Sequence, residues 1–222
     1  MLRLASSSPR RIELLRLLHI PFESSAPNVD EAQFESPARA KAAAVARHGE
    51  VTIAADTEVA LDGERLGKPM DDSHAVAMLA TLSGREHEVR TELVVVAANG
   101  ARRQFAVRSR VTFRELSLRQ IERYVGTGEP LDKAGAYAIQ GEGRRLVESY
   151  DGCLANVTGL PLCHAYFALR GAGAVARQRP EAVCQAHFGF ACPVWRTAHR
   201  QGRVLRDGAA YRSWSEDVSG LE

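Results

Sequence analysis

The chain begins Met1-Leu2-Arg3-Leu4-Ala5-Ser6-Ser7-Ser8-Pro9-Arg10-Arg11, and the fold class turns on how this stretch is read. An apolar run too short for a helix ends in three small hydroxyl residues. Pro9 then suits the first turn of a helix, where the N–H it lacks would have no partner, and Ile12, Leu14, Leu15 and Leu18 recur at helical spacing. A strand from Met1 to Ala5 that turns through the serines into a helix is half of an α/β unit, and the alternation continues outward. Ser36 and Pro37 open a second helix to about His48, with Gly49 closing it. Val51 to Ala55 is a continuous small apolar run, hence a buried strand, expected to end at Asp56-Thr57. Val59 to Leu61 and the Asp62-Gly63 turn start a hairpin-like excursion ending at Gly67-Lys68-Pro69. A helix from about Ser73 to Leu82 stops at Gly84. Strands over about Glu88 to Ala98 and Gln104 to Phe113 are joined by Asn99-Gly100, a hairpin signal, and Ser117 with Gln120 forms a capping box for a helix to about Val125. After a glycine-rich stretch, Leu160 to Arg170 reads as the last helix, ending at Gly171. The chain is therefore expected to be α/β.

Composition narrows the function. A chain of 222 residues, 45% hydrophobic and 25% charged, can bury a proper core. A net charge of +2 with no basic run does not suit a protein that coats nucleic acid, so any bound polyanion should be small. No signal-peptide core or 18-residue apolar span is visible, which predicts a cytoplasmic protein without a membrane segment. The four cysteines then read as reduced thiols, with Cys153 and Cys163 as small buried hydrophobes. Beyond Gly173 the periodicity fades and both tryptophans, Trp195 and Trp214, appear. The reading is a domain over 1–173 and a C-terminal extension over 174–222 whose order the sequence does not define.

Only three of the 29 basic side chains are lysines, Lys41, Lys68 and Lys133, and each lies in a segment suited to phosphate. A compact, movable ammonium does work that a planar guanidinium does not. In the opening stretch, hydroxyls and helix N–H groups face a common point where the dipole favours an anion. Arg10 and Arg11 carry the wrong sign for that helix end, which suggests a phosphate ligand; a serine N-cap followed by surface arginines is the plain alternative. Asp56, at the carboxyl end of a buried strand, is a candidate general base, metal ligand or both, or simply a turn aspartate. Glu31 and Glu58 are further acidic candidates. The Gly128 to Gly141 segment reads as a tightly turned backbone that holds Lys133 and Gln140 at fixed angles. A surface loop would explain its glycines but not the apolar Ala136, Tyr137 and Ile139. Cys184, His187, Cys192 and His199 match no common zinc frame and read as incidental. No Walker-type loop, G-x-G-x-x-G or G-x-S-x-G occurs.

Taken together, several segments resemble, in order, the Maf family of nucleoside triphosphate pyrophosphatases, related in architecture to the inosine-triphosphatase enzymes. They are Leu4 to Arg11, Ala38 to Ala42, Ala55-Asp56-Thr57, Gly67-Lys68-Pro69, Leu82 to Val89, Gly128 to Gly141 and Asn156 to Leu162, and the resemblance covers about residues 1–172. It implies an elongated two-lobed fold around a mixed twisted sheet with a central cleft, usually dimeric. The implied reaction cleaves a nucleoside triphosphate between the α- and β-phosphates with a divalent cation, Mg²⁺ or Mn²⁺, giving a monophosphate and pyrophosphate in a house-cleaning role. Asp56 matches the proton acceptor; Ser8, Arg11, Lys41, Lys68 and Lys133 match phosphate contacts, and Glu31 with Asp56 match metal contacts. Arg10, Thr57 and Gln140 match the pattern that accompanies dTTP and UTP, possible modified pyrimidines included, because Gln140 can pair with a pyrimidine carbonyl and N–H together. A 7-methyl-GTP pyrophosphatase and a nucleotide-binding regulator of septum formation are the alternatives. Glu58, where the family usually has an apolar residue, and Ala138, where glycine is common, are departures; Glu58 is a candidate to raise the pKa of Asp56 or add a metal contact, with an exposed residue of an alternating strand as the equal alternative.

Overall fold

The computed structural model describes residues 1–206, the side chains of Ala32 and of 202–206 excepted; Trp214 and the end of the extension lie outside the described residues. It is an α/β protein built on a seven-stranded mixed sheet. In chain order the elements are β1 (Leu2–Ala5), α1 (Pro9–Arg16), β2 (Phe22–Ser25), α2 (Pro37–Val45), β3 (Val51–Leu61), β4 (Glu64–Leu66), α3 (Asp72–Leu82), β5 (Glu86–Val96) and β6 (Arg102–Phe113). There follow α4 (Leu118–Val125), a run of 3₁₀ turns, β7 (Val147–Asp151), α5 (Leu154–Thr158), α6 (Leu162–Gly171), α7 (Pro180–Phe188) and α8 (Trp195–Arg206). The strand order is β2-β1-β3-β5-β6-β7, with β4 paired to β3. β1 runs parallel to both β2 and β3, whereas β4 and β7 run antiparallel to their partners.

Local chemistry accounts for many of the boundaries. Ser117 and Gln120 form the full capping box of α4, and Gly100 takes a left-handed φ of 84° in the β5–β6 turn. Several boundaries differ from the sequence reading. β3 does not end at Asp56 but runs on to Leu61, so the aspartate lies inside a strand. α2 stops at Val45, because Ala46 leaves the helix with an extended ψ of 138°. α6 is not the last helix: Pro180 at the start of α7 and Gly189 in a left-handed cap at its end delimit one further helix, and α8 follows. β2, β7 and α5 were not expected from the sequence.

The chain divides into two compact units. One comprises residues 1–56, 91–107 and those from 159 on. Its core sets Leu4, Ala5, Ile53 and Ala54 of β1 and β3, all fully buried, with Leu14 and Leu15 of α1 and with Leu18. Ala38 and Ala42 of α2 pack in one cluster with Ala5, Ala54 and Val94, with Val45 and Val96 against it. The other unit comprises residues 57–90 and 108–158. At its centre His87, Phe113 and Tyr137 pack edge to face, with centroids 4.8 to 5.4 Å apart, and His87 Nε2 lies 2.9 Å from the Tyr137 hydroxyl.

Candidate functional site

In the first unit the parallel pairing of β1 with β3 ends at Ala5 and Ala54, and Asp56 follows two residues on, half-buried where the preceding five residues are buried. A polar side chain so placed lies just past the paired, apolar half of its strand. Lys41 points there from α2. Its Nζ is 2.8 Å from Asp56 Oδ1 and 2.9 Å from Glu31 Oε1, while its own side chain is only 6% exposed. Glu31 opens the 3₁₀ turn ahead of α2 and stays half exposed. A buried ammonium shared by two carboxylates places two negative groups around one point.

Arg11 completes this group. Its Nε donates to the Gly159 carbonyl at 3.0 Å. Burial lowers the guanidinium's pKa, the Asp56 and Glu31 carboxylates oppose that shift, and neighbouring Arg10 adds to it, so Arg11 lies within the field of both carboxylates. Arg10 is the second residue of α1 and half-buried. Ser8 occupies the N-cap position of α1 but its hydroxyl accepts no hydrogen bond from the helix; Ser6 instead takes the Ser8 N–H at 3.1 Å. The plain serine-cap alternative therefore does not describe Ser8. Of the residues expected at a site, the first unit brings Arg11, Glu31, Lys41 and Asp56 into mutual contact or electrostatic reach.

The second unit carries the others. Thr57 follows Asp56 on β3 and is half-buried. Lys68 is exposed in the turn after β4, and Gly67 beside it accepts the Gly135 N–H at 3.1 Å, so the Gly-Lys-Pro turn is tied to the glycine-rich segment that holds Lys133. Gly135 is in the left-handed region at φ 70°, and a Cβ there would meet both Val59 methyls at 3.0 Å, so glycine is favoured on both counts. Gly135 to Ile139 are all buried, so the segment is packed and is not a surface loop. Lys133 Nζ donates to the Glu129 carbonyl at 2.6 Å and pairs with Asp132. Gln140 is exposed on a turn closed by Gly141 N–H on the Ala138 carbonyl at 3.3 Å.

Glu58 is held by two arginines. Its two oxygens are taken by Arg90 at 3.1 Å and Arg65 at 2.7 Å, so this carboxylate is engaged in ion pairs within its own unit. That pairing explains how an acid is accommodated at a usually apolar position. Arg65, Arg90, Tyr124 and Glu129 were not picked out from the sequence, since none stands in a distinctive local pattern. The tail's histidines go separate ways: His199 lies 3.1 Å from the buried Glu181, and His187 lies 3.9 Å from Glu13.

The α/β sheet thus carries a carboxylate–lysine–arginine cluster just past the paired part of β1 and β3. The Maf-like protein profile matches residues 1–172, and the chain belongs to that family. A dTTP/UTP pyrophosphatase of Myxococcus xanthus is 49% identical over 184 residues, covering 78% of this chain and 93% of the relative. One from Moorella thermoacetica is 49% identical over 171 residues, covering 72% and 88%. A solved nucleoside-triphosphatase / dITP/XTP pyrophosphatase from Mycobacterium abscessus is 18% identical, covering 52% of this chain and 74% of that one at a TM-score of 0.33, a likeness too slight to argue from. Among the described residues no helix is long and apolar enough to cross a membrane.

Proposed function

We propose that this chain hydrolyses dTTP and UTP, or modified pyrimidine nucleotides, to the nucleoside monophosphate and pyrophosphate. The observation that carries this reading is the placement of Asp56, held at 2.8 Å by the buried Lys41 ammonium that Glu31 also shares, in a chain whose relatives bear that activity in their names. Asp56 accepts the proton of the attacking water. Lys41 orients Asp56 before substrate arrives, and Lys41 and Arg11 offset charge that spreads over phosphate oxygens as the anhydride breaks. Ser8, Lys68 and Lys133 are assigned to the phosphates. Arg10, Thr57 and Gln140 are assigned to nucleotide recognition, with the Gln140 amide pairing the N–H and carbonyl of the pyrimidine edge.

The acidic pair suits a divalent cation. Glu31 and Asp56 are hard oxygen donors, both paired here with the Lys41 ammonium, and Mg²⁺ is commonly held by one or two carboxylates together with substrate phosphates. When bound, Mg²⁺ or Mn²⁺ supplies neutralisation of phosphate charge. The same reading takes residues 1–173 as the enzyme domain and 174–222 as an extension, in a cytoplasmic homodimer that does not bind nucleic acid. The test is pyrophosphate release by the purified full-length chain with Mg²⁺ or Mn²⁺ across a nucleotide panel. Release from dTTP and UTP that disappears in folded Asp56→Asn is expected. No release from any pyrimidine triphosphate, or full activity in Asp56→Asn, overturns the reading.

A further inference from the structure

The turn that presents Gln140 is gripped from both sides by two residues with no role assigned so far. Ala138 and Gly141 close it, leaving Ile139 buried and Gln140 exposed at its apex. On the entering side, the Ala138 N–H donates to the Tyr124 hydroxyl at 3.1 Å. On the leaving side, the Glu129 carboxylate accepts the Glu142 N–H at 3.3 Å through Oε1 and the Gly143 N–H at 3.0 Å through Oε2. The two grips are linked electrostatically, because Glu129 is among the groups that raise the pKa of the Tyr124 phenol. A carboxylate that accepts two backbone donors, one through each oxygen, is held in one rotamer.

Packing shows that this arrangement admits no slack. A Cβ on Gly141 would fall 1.7 Å from Glu129 Oε1, and one on Gly143 would fall 2.7 Å from both the Tyr124 hydroxyl and the Ala138 carbonyl. The backbone on the far side of Gln140 thus lies against the carboxylate and phenol with no room for a methyl group. Tyr124 is itself anchored, 5% exposed on α4 behind the Ser117 capping box. Burial, and after it the Glu129 carboxylate, raise the pKa of the phenol far above its ordinary value, so it keeps its proton throughout the working pH range. The same Glu129 receives Lys133 Nζ on its backbone carbonyl, an acceptor that side-chain substitution leaves in place.

We infer that Glu129 and Tyr124 are positioning residues for nucleobase recognition: together they fix the turn that holds Gln140 and so set which base edge its amide can meet. The inference rests on the proposed pyrimidine triphosphatase reading. Neither residue touches the base. Their effect is confined to the distance and angle of Gln140, and a base-reading amide displaced by about 1 Å loses much of its discrimination.

The experiment compares wild type, Gln140→Ala, Glu129→Gln and Tyr124→Phe, measuring kcat and KM for pyrophosphate release from dTTP, dCTP and dATP, with thermal unfolding of each variant. Glu129→Gln replaces one of the two accepting oxygens by a donor facing an N–H; Tyr124→Phe removes only the hydroxyl. The expected result is a fall of about tenfold or more in the preference for dTTP, carried by KM, in both variants. kcat for dTTP should hold within about threefold, since the Lys133 acceptor is backbone. A purely structural role would depress all three nucleotides alike together with the melting temperature. If Gln140→Ala leaves the base preference of wild type untouched, the reading of Gln140 itself fails. If Gln140→Ala erases the preference while folded Glu129→Gln and Tyr124→Phe retain it, the inference about Glu129 and Tyr124 is overturned and that reading stands. Should either variant unfold, Glu129→Asp, which keeps the charge and shortens the reach, carries the same test.

Discussion

Replacing Lys41 by methionine keeps most of the apolar stem and removes only the charge, which isolates the interaction at the centre of the site. In the native chain Nζ lies 2.8 Å from Asp56 Oδ1 and 2.9 Å from Glu31 Oε1. The two contacts are not equal. Glu31 is 51% exposed, so water screens it and its share is at most about 1 kcal/mol. Asp56 is only 14% exposed, and stranding a largely buried carboxylate costs about 3 to 5 kcal/mol. Arg11 remains to offset part of that, which leaves an expected loss of about 2 to 3 kcal/mol. Urea unfolding at neutral pH measures it. Because the penalty belongs to the stranded Asp56, adding Asp56→Asn should recover most of it, with a coupling of about 2 kcal/mol in the double-mutant cycle. Pyrophosphate release should drop by about 100-fold or more in Lys41→Met. A variant within about 0.5 kcal/mol of wild type, or a cycle that is simply additive, would refute the claim that Lys41 and Asp56 act on each other.

Three further outcomes follow from the same structure. Burial lowers the pKa of His87 and of His164 from 6.5 to about 4. The unfolded chain therefore takes up protons at these positions before the native state does. Their contribution is intact above pH 6.5 and is lost as pH falls toward about 4, at roughly 1.4 kcal/mol per pH unit for each ring; urea midpoints between pH 7 and 5 should flatten in His87→Phe, and an unchanged slope would contradict it. Ending the chain after Gly173 removes α7 and α8 and bares Phe167, which is 7% exposed and packs on His199 at 5.0 Å. Denaturant unfolding should show a loss of about 2 to 3 kcal/mol, and an unaltered midpoint would show the extension to be dispensable. Each of Lys41→Arg, Lys68→Arg and Lys133→Arg should lower turnover despite preserving charge, since the planar fork cannot take the place of a compact ammonium; full activity in all three would make the lysine pattern a matter of composition alone.

Much of the architecture was legible because its determinants are local. The Asn99-Gly100 turn, the Ser117 capping box and the Gly84 stop each depend on a few adjacent residues. β2 escaped because Phe22-Glu23-Ser24-Ser25 is neither apolar nor alternating; it is a strand only because Leu2 to Ala5 lie beside it. α7 was missed for a different reason, since Pro180 and Gly189 were visible punctuation between which little periodicity stood out.

The sequence alone determined the α/β class, the family's ordered motifs and the identity of the candidate residues, because these reside in side-chain chemistry and short-range backbone preference. Only the tertiary structure decided that Asp56 sits within a continuous strand, that Lys41 is shared between Glu31 and Asp56, that Glu58 is held by Arg65 and Arg90, and that Tyr124 and Glu129 grip the turn of Gln140. Those contacts join residues about 7 to 32 positions apart. Which distant groups meet is set by the packing of the whole core, where burial and the need to satisfy every buried polar group select one arrangement from many that the local sequence would allow.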